Sequence, residues 1–248
     1  MAEEHIAGRN PVLEALRAGR PIHRLLVARG AVEGSIRQIR ALARERGVPV
    51  QEVDRARLDA LAGGVRHQGV VAVAAVREYA SLEDILSRAR AAAEDPLLLV
   101  LDGIEDPQNL GSLLRTADAV GVHGVVIPGR RAAGLTPAVA KVAAGAVEHV
   151  PVARVTNLPR AIAELKEAGL WVCGAAPGAP TVYHEARLTG PLAVVIGGED
   201  RGLSRLVAEA CDFTVRIPMR GHLNSLNAAV AGAILLYEVR RQRDKGAS

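Results

Sequence analysis

Short apolar segments alternate with amphipathic segments over most of the chain. Beyond residue 96 the apolar segments are rich in Val, Ile and Leu, and the segments between them have helical periodicity. Continuous apolar strands separated by helices are typical of a mainly parallel sheet that is covered on both faces. We predict strands at LLLVLDG, VHGVVIP, VEHVPVARV, LWVCGAA, LAVVIGGE and FTVRIPM.

Residues 1–76 repeat this alternation on a smaller scale. The predicted order is helix NPVLEALRAG, strand IHRLLVA, helix SIRQIRALARERG, strand VPVQEV, helix RARLDALAG and strand GVVAVAAV. Pro and Gly residues mark the turns between these elements. The pattern predicts a small α/β domain of its own.

One amphipathic helix is predicted between the two alternating parts. Ser81 is placed to cap it, and its apolar face consists of Leu82, Ile85, Leu86 and Ala89. The fold class is therefore α/β, with a small domain at 1–76, a linker helix at 77–95 and a larger domain at 96–248.

Composition indicates a globular protein and excludes several environments. The 248 residues are 49% apolar and 23% charged, enough for one large core or two smaller ones. No apolar run approaches the roughly 20 residues of a membrane span, and the beginning MAEEHIAGRN is unlike a signal peptide. We expect a cytoplasmic protein without a membrane partner. Cys173 and Cys211 lack the spacing of disulfide or metal sites, which predicts free thiols and no metal.

Charge is unevenly distributed along the chain. Residues 1–76 contain 12 Arg and 8 Asp or Glu, whereas residues 77–248 contain 19 basic and 19 acidic residues, so the excess of +4 lies in the first part. An anionic partner that docks on this part would explain the asymmetry. A genome that favours arginine codons would also explain 28 Arg against 3 Lys. Charge alone leaves both explanations open.

Several common catalytic and nucleotide-binding motifs are missing from the sequence. No G-x-G-x-x-G follows the first strand of either part, and GGEDRGLS has the glycine spacing of a P-loop but Leu203 in place of the lysine. These absences disfavour a dehydrogenase or an NTPase. The chain also lacks H-E-x-x-H, C-x-x-C and G-x-S-x-G, which disfavours metallohydrolases and serine hydrolases.

Polar residues follow three of the predicted strands, and ligands of open α/β sheets bind at the carboxyl ends of strands. After LLLVLDG, Asn109 is placed to cap the next helix. Arg115 follows on the second turn of that helix among apolar neighbours, where a guanidinium needs a carboxylate or a phosphate.

The second and third polar segments are VVIGGEDRGLS and IPMRGHLNSLN. In the second, glycines permit a ligand to approach the backbone, and Glu199 either contacts that ligand or compensates a helix dipole. In the third, Ser225 and Asn227 lie on either side of Leu226 at the start of the last helix. Ser225 as an N-cap would account for one polar residue but not for the group.

Together these segments resemble motifs one, two and three of the SpoU/TrmH family of RNA ribose 2'-O-methyltransferases. The similar features are N-x5-R, then G-G-E-x-x-G, then I-P-M with S-L-N before a terminal helix. The segments GRNPVLEAL and RHQGVVA resemble the RlmB-like branch, which acts on ribosomal RNA. The resemblance spans nearly the whole chain, and only RGHLN within the third motif looks variable.

The resemblance implies a fold and a set of partners. The larger domain would be a SPOUT domain with a trefoil knot, an exception to the rule that chains avoid knots. The small domain would be L30e-like and bind RNA, and the protein would be a homodimer with each active site near the subunit interface. The implied cofactor is S-adenosylmethionine, held by backbone groups near Ala175, Gly198, Ile217, Met219 and Leu226.

The resemblance also implies catalytic roles for Asn109, Arg115, Glu199, Ser225 and Asn227. Family proposals make the arginine the base, but a guanidinium with a pKa above about 12 has donors and no acceptor. We expect Arg115 to hold a target phosphate while a phosphate oxygen or water takes the proton. Glu199 is expected to fix Arg115 or its own loop. The implied target is a guanosine of 23S ribosomal RNA, with transfer RNA as the alternative.

Two functions of other classes compete with this hypothesis. A non-catalytic RNA-binding or ribosome-assembly protein of the same fold would not need the complete set of motif residues. A nucleotide-cofactor oxidoreductase would need the glycine fingerprint that is missing. Aromatic residues make up only 2% of the chain, so no stacking platform for bases is evident.

Overall fold

The computed structural model describes residues 3–32 and 34–246. Five residues lie outside the described ranges: Met1, Ala2, Glu33, Ala247 and Ser248. The predicted domains 1–76 and 96–248 are therefore described except at these positions. Helices and strands alternate in the following order: β1 (Glu3–Ala7), α1 (Arg9–Arg17), β2 (Ile22–Ala28), α2 (Ser35–Glu45), β3 (Val50–Val53), α3 (Arg55–Ala62), β4 (Val70–Ala75), α4 (Leu82–Ala91), β5 (Leu97–Asp102), α5 (Pro107–Val120), β6 (Gly124–Pro128), α6 (Pro137–Val142), a 3₁₀ helix (Ala146–Glu148), β7 (Val152–Val155), α7 (Leu158–Glu167), β8 (Trp171–Ala175), β9 (Thr181–Val182), β10 (Leu192–Gly197), α8 (Arg205–Ala210), β11 (Phe213–Arg216) and α9 (Ala228–Gly246).

The chain divides into two compact units. Unit 1 comprises residues 1–78 together with residues 134–149, and unit 2 comprises residues 79–133 and 150–248. Residues 134–149, which contain α6 and the 3₁₀ helix, thus pack with the N-terminal residues although the chain places them between β6 and β7. The sequence predicted a small N-terminal α/β unit followed by a larger one, and both are present. The boundaries at residues 76 and 96 stay a prediction.

Unit 1 is built on a four-stranded mixed sheet in the order β1-β4-β2-β3, in which only the β2–β3 pair is parallel. Alternate residues of β2 face opposite sides of this sheet. Leu25 and Val27 join a core with α1 and α2, whereas Leu26 and Ala28 join a second core with α3. Burial on both faces explains why IHRLLVA reads as a nearly continuous apolar strand.

β1 was not predicted, and the reason lies in its composition. Its first residues, Glu3, Glu4 and His5, are polar, so the segment has no apolar alternation. It forms an edge of the sheet and pairs antiparallel with β4. An edge strand with charged residues needs little apolar surface, and its backbone pairing is a long-range contact that local patterns do not reveal.

Unit 2 contains a seven-stranded sheet in the order β7-β6-β5-β10-β8-β11-β9, and every neighbouring pair is parallel. One face is buried under α4, α7 and α8 in a core that includes Ile85, Val100 and Ile162. The prediction of a parallel sheet between helices is confirmed. The two-residue strand β9 is too short for a periodic signal, and it was missed.

Two helices of unit 2 position the polar strand ends. α5 follows β5 at the centre of the sheet, and α9 packs against α5 and β10. The packing is close, since a Cβ on Gly232 of α9 would lie 2.5 Å from Cδ2 of Leu113 on α5. The helix predicted between the two parts is present as α4, while its role as a linker at 77–95 stays a prediction. Its N-cap Ser81 forms a capping box with Asp84, in which each side chain bonds the other residue's backbone N–H.

Candidate functional site

Asn109 lies inside the first turn of α5 and does not cap it, so the predicted cap was wrong. The N-cap is Asp106, whose Oδ1 accepts a hydrogen bond of 3.0 Å from the backbone N–H of Gln108. Pro107 occupies the first helical position, which proline favours because its missing N–H would be unpaired there. With the cap supplied by Asp106, the side chain of Asn109 is free to point to the end of the sheet, where it is 9% exposed.

Asn227 caps α9, whereas the sequence left Ser225 as the capping alternative. The Oδ1 atom of Asn227 accepts hydrogen bonds from the backbone N–H groups of Ala229 at 3.0 Å and Val230 at 3.2 Å. Its amide nitrogen remains available for other acceptors, because only the oxygen is used in the cap. Ser225 lies two residues earlier and is exposed.

Gly197, the last residue of β10, and Gly198, which follows it, also serve close backbone packing, beyond the predicted approach of a ligand to the backbone. A Cβ on Gly197 would collide with backbone atoms of Gly202, and a Cβ on Gly198 would lie 2.5 Å from the carbonyl oxygen of Gly103. The backbone N–H of Gly198 donates to Asp102 O at 2.9 Å. The loop that carries Glu199 is therefore held against the end of β5.

Three side chains from these segments meet in one hydrogen-bonded cluster. Asn227 Nδ2 donates to Oδ1 of Asn109 at 2.8 Å and also to Oε1 of Glu199. Asn109 Nδ2 donates to the same Glu199 oxygen at 2.9 Å. Glu199 thus accepts from two amides, and among the described residues no hydrogen bond or ion pair joins it to Arg115. Of the two expected roles for Glu199, fixing its own loop agrees with these contacts, whereas fixing Arg115 does not.

A cleft of about 320 Å³ lies on one side of this cluster. All five residues predicted to hold a cofactor line it: Ala175, Gly198, Ile217, Met219 and Leu226. Glu199 and Ser225 also line it, together with apolar side chains that include Ile196 and Val215. These residues come from the ends of β8, β10 and β11, which are neighbours in the parallel sheet, so the rule about carboxyl ends of strands is obeyed.

A second, more polar cavity of about 640 Å³ shares the loop of residues 198–202 with this cleft. Asn109 and Glu199 line it too, and three arginines border it: Arg130, Arg131 and Arg201. None of these arginines has an ion pair within residues 3–32 and 34–246. The sequence reasoning missed Arg130 and Arg131, although they follow the strand VVIP directly. The carboxyl-end rule applied to that strand would have found them.

Arg115 lies apart from both cavities. It is exposed on α5, and no hydrogen bond or ion pair joins it to any other residue that the structure describes. Six residues separate it from Asn109, a rotation of about 240° around the helix axis at about 100° per residue. The two side chains of N-x5-R therefore leave α5 about 120° apart, and of the two Asn109 lines a cavity whereas Arg115 lines neither. The expectation that Arg115 lies in a buried environment was wrong, although Leu113, Leu114 and Ala117 are buried.

The remaining chemistry-bearing residues do not form a second centre of this kind in unit 2. Both thiols are free, and burial raises the pKa of Cys173 to about 12 and that of Cys211 to about 11, so neither is a nucleophile near neutral pH. Within the described residues, no group of three or more His, Cys, Asp or Glu side chains is arranged to hold a metal ion. The helices described also include none with the length and apolar content needed to span a bilayer.

A parallel sheet with an apolar cleft and a polar cluster at its carboxyl edge defines an α/β protein that binds an organic ligand there. Comparison with known proteins identifies the ligand and the family. Residues 96–237 match the SpoU rRNA Methylase family, and residues 5–80 match the family described as RNA 2'-O ribose methyltransferase substrate binding. The chain belongs to the SpoU rRNA methylase family.

Relatives and solved structures agree with this assignment. The chain is 48% identical over 98% of both chains to a Bacillus subtilis protein named as a TrmH family tRNA/rRNA methyltransferase, YacO, and 47% identical over 98% of both chains to a Staphylococcus aureus protein with the same family name. It resembles the SpoU methyltransferase AviRb from Streptomyces viridochromogenes in complex with AdoMet, with a TM-score of 0.83 and 30% identity over 98% of this chain and 92% of AviRb. A second AdoMet-bound rRNA methyltransferase, from Sinorhizobium meliloti, has a TM-score of 0.80 and 28% identity over 96% of this chain and 87% of its own.

The protein is thus an RNA methyltransferase of the TrmH/SpoU family, and its cofactor is S-adenosylmethionine. The cleft lined by Ala175, Ile217, Met219 and Leu226 fits that molecule chemically. Apolar side chains suit the adenine ring, and the carboxylates of Glu199 and Asp200 suit a sulfonium cation. No hydrogen bond joins the backbone N–H groups of Ile217, Met219 or Leu226 to another described residue, which leaves them for a ligand.

Proposed function

We propose that the protein methylates the 2'-hydroxyl of a ribose in RNA, and that the target is a guanosine of 23S ribosomal RNA. The observation that carries this proposal is the hydrogen-bonded cluster of Asn109, Glu199 and Asn227, which lies between an apolar cleft and a cavity bordered by arginines. The cleft suits S-adenosylmethionine, which supplies the methyl group. The second cavity is lined by three arginines and by five carboxylates (Asp102, Glu105, Asp106, Glu199 and Asp200), and we assign the binding of a nucleotide's phosphates to the arginines.

The chain's own contribution is mainly positioning. A ribose hydroxyl is a weak nucleophile, and transfer would require its oxygen about 3–3.5 Å from the donor's methyl carbon, in line with the carbon–sulfur bond that breaks. Because Glu199 Oε1 already accepts hydrogen bonds from two amides, we assign this carboxylate to fixing the loop that separates the cavities. Asn109 and Asn227 orient the carboxylate, and the exposed hydroxyl of Ser225 faces the cleft as a partner for the bound ligands.

Arg115 is proposed to act on RNA from outside these cavities. Its exposed guanidinium, without a partner among the described residues, can bind a phosphate beside the target ribose. A phosphate oxygen or water then takes the proton, since the guanidinium has no acceptor. The active site is proposed to lie near the interface of a homodimer, where Arg115 of one chain can approach the cavities of the other. A trefoil knot formed by the loops after β10 and β11 is part of the same proposal.

Location and substrate are proposed together. In bacteria, the source of the relatives named above, ribosomal RNA is made and modified in the cytoplasm, and we propose that the protein acts there. The binding of RNA by unit 1 is supported by the match of residues 5–80 to a substrate-binding family and by the arginine excess of residues 1–76. Transfer RNA is the alternative substrate, since the relatives carry names that include both RNAs.

The test is methyl transfer from S-adenosylmethionine with a labelled methyl group to two RNAs. Unmodified 23S ribosomal RNA and unmodified transfer RNA, both transcribed in vitro, are offered separately. We expect label on one ribose of 23S RNA. The phosphodiester that follows this ribose should resist alkali, because its 2'-oxygen carries the methyl group and cannot attack the phosphorus. Label in transfer RNA alone would show that transfer RNA is the substrate. If alkali still cleaves the chain after the labelled nucleotide, the methyl group went to a base.

A further inference from the structure

Another polar cleft is lined by residues of unit 1 alone. It has a volume of about 600 Å³ and is lined by Arg9, Arg55, Asp59, residues 64–69 and Lys141. We call it the basic cleft, because it combines four cationic side chains with one carboxylate, counting Arg66 among the cations. Lys141 belongs to α6, which packs with unit 1 but lies outside residues 5–80 that match the substrate-binding family.

The cations of the basic cleft differ in their partners from most of the other arginines of unit 1, although Arg37, Arg44, Arg46 and Arg57 also have no ion pair among the described residues. Many arginines elsewhere in the unit are paired with carboxylates: Arg17 with Glu14, Arg20 with Glu4 and Glu148, Arg24 with Glu3, Arg29 with Asp54, Arg40 with Glu52, and Arg77 with Glu148. Within residues 3–32 and 34–246, no ion pair involves Arg9, Arg55, Arg66 or Lys141. The charge of the cleft is therefore not neutralised by neighbouring described residues.

The floor of the basic cleft is fixed by the segment RHQG. His67 is 9% exposed, and its Nδ1 accepts a hydrogen bond of 3.0 Å from the backbone N–H of Gly69. The other ring nitrogen therefore carries the proton and donates to Asp59 Oδ1 at 3.0 Å. This bond engages Asp59, the one carboxylate among the described residues that line the cleft, so the imidazole N–H and not an arginine partly compensates the negative charge of Asp59.

Gln68 aligns the first arginine. It has a φ of +51°, a left-handed conformation that costs a non-glycine residue about 1 kcal/mol or more and is concentrated at ligand sites. In this conformation its carbonyl oxygen accepts from Arg9 Nε at 3.0 Å, and its side-chain oxygen accepts from the backbone N–H of Arg9 at 3.2 Å. The terminal nitrogens of Arg9 stay available as donors, on a side chain that is already held in place.

We propose that the basic cleft binds the phosphodiester backbone of the substrate RNA and that Lys141 completes it. This inference rests on the proposed function, which supplies RNA as the polyanion. The cleft offers forked guanidinium donors, which match phosphate oxygens in pairs. No Phe, Tyr or Trp lines it, and its one imidazole, His67, is 9% exposed and hydrogen-bonded through both ring nitrogens, so the cleft offers little surface on which a base would stack. It therefore recognises the backbone and not the sequence.

The experiment compares two triple variants of the full chain that remove equal charge. The first variant removes three cations from the basic cleft: Arg55→Gln/Arg66→Gln/Lys141→Gln. It keeps Arg9, which donates a hydrogen bond to the Gln68 carbonyl oxygen. The second, Arg24→Gln/Arg44→Gln/Arg57→Gln, removes three exposed arginines of unit 1 that do not line the cleft. Affinity for 23S RNA transcribed in vitro is measured from 50 to 300 mM salt, and the single variant Lys141→Gln is measured beside them.

We expect the cleft variant to bind RNA roughly 10- to 100-fold more weakly, and the control variant to change far less. The slope of log K against log salt should become shallower by about 2 in the cleft variant, at about 0.7 for each lost contact to single-stranded RNA, and by about 0.7 in Lys141→Gln. S-adenosylmethionine affinity and the methylation rate at saturating RNA should stay near those of the unchanged protein.

Two outcomes would overturn the inference while leaving the proposed function in place. One is equal loss of affinity in both triple variants, which would indicate a general electrostatic field. The other is unchanged RNA affinity and salt slope in the cleft variant of a chain that methylates RNA. Failure of the proposed function is a separate result, namely that the unchanged chain transfers no methyl group to either RNA.

Discussion

Asn227 donates a hydrogen bond of 2.8 Å to the side chain of Asn109, across 118 residues of chain. The same Asn227 side chain caps α9 through its oxygen, with backbone donors at 3.0 and 3.2 Å. One amide therefore performs two tasks with its two ends. The oxygen fixes where the terminal helix begins, and the nitrogen ties that point to α5 and to Glu199.

Asn227→Ala should lower both stability and activity. The variant loses an N-cap and two side-chain hydrogen bonds, which should reduce the free energy of unfolding by about 1–3 kcal/mol. Methyl transfer should fall strongly because Glu199 and Asn109 lose their common partner. Urea unfolding measures the first effect, and the labelled-methyl assay at saturating substrates measures the second.

Asn227→Asp separates the two tasks. Aspartate caps helices as well as asparagine does, so stability should stay closer to that of the unchanged chain. It has no amide donors, and it would place a second carboxylate beside Glu199, so activity should still be lost. Asn224→Ala, a substitution at an exposed residue of the same loop, serves as the control with little change in stability. An active Asn227→Asp variant would show that the donor end is dispensable.

The sequence predicted the strands, and the residues that line one cleft, better than the contacts between distant residues. Strands such as IHRLLVA were found because burial on both faces leaves a continuous apolar run. Ala175, Gly198 and Met219 were identified by resemblance and line one cleft. Asn109 was misread as a cap because its true role depends on Asn227 and Glu199, which are remote in sequence. The packing of residues 134–149 with unit 1 had no local signal, since α6 looks like any short helix.

Gly198→Ala tests the close approach of the loop after β10 to the end of β5. A Cβ there would lie 2.5 Å from the carbonyl oxygen of Gly103, so the backbone must shift. Overpacking of this kind costs about 1–3 kcal/mol. We expect weaker binding of S-adenosylmethionine in titration calorimetry and a lower melting temperature. Gly178→Ala is the matched control, because a Cβ at Gly178 meets nothing within 4 Å. Equal effects at both positions would contradict the packing argument.

Arg115→Ala should abolish methyl transfer and leave S-adenosylmethionine affinity near that of the unchanged chain. The reason is its position, since Arg115 is exposed and does not line the cofactor cleft. Titration calorimetry and the labelled-methyl assay measure the two quantities. Arg115→Lys keeps the charge but not the forked donors, so it should recover only part of the activity. Loss of cofactor binding in Arg115→Ala would refute the assignment to the RNA side.

The exposed position of Arg115 also permits a test of action between subunits. Mixing Arg115→Ala chains with Glu199→Gln chains produces dimers with one intact set of residues if Arg115 serves the partner's cavity. Activity in the mixture, when neither variant alone is active, would support the proposed arrangement. If the two variants exchange subunits and the mixture is still inactive, Arg115 acts at the cavity of its own chain.

Stability should fall in mild acid because of His123. Burial lowers the pKa of this histidine below its ordinary value of about 6.5, although nearby Glu94 acts in the opposite direction. Its Nδ1 accepts from the backbone N–H of Leu97 at 3.1 Å, which requires the unprotonated nitrogen. The folded state therefore binds fewer protons than the unfolded state, so the contribution is fully present above about pH 6.5 and is lost as the pH falls below it.

His123→Gln isolates this contribution. Glutamine can accept the same backbone hydrogen bond but does not titrate. Urea unfolding at pH 8, 7, 6 and 5 should show that the variant loses less stability on acidification than the unchanged chain does. The other titratable groups are the same in both proteins, so their effects cancel when the unfolding free energies of the two proteins are subtracted at each pH. Parallel curves would show that His123 does not contribute to the acid sensitivity.

Removal of residues 1–78 should weaken RNA binding and its salt dependence but preserve binding of S-adenosylmethionine, since the cofactor cleft lies wholly within unit 2. The truncated chain should nevertheless aggregate. Residues 134–149 would remain, and they would lose the partners that now cover them. Val139 and Val147 are buried, and Glu148 would lose Arg20 at 3.1 Å and Arg77 at 2.5 Å.

Substitution of the uncovered apolar residues should rescue this truncated protein. With Val139→Ser and Val147→Ser, the remaining chain should elute as a defined species in size-exclusion chromatography and bind S-adenosylmethionine like the full chain. The same two substitutions in the full chain should be destabilising, because there they place hydroxyls in a packed interior. An unfolded remainder in far-ultraviolet circular dichroism, with or without the substitutions, would show that unit 2 does not fold by itself.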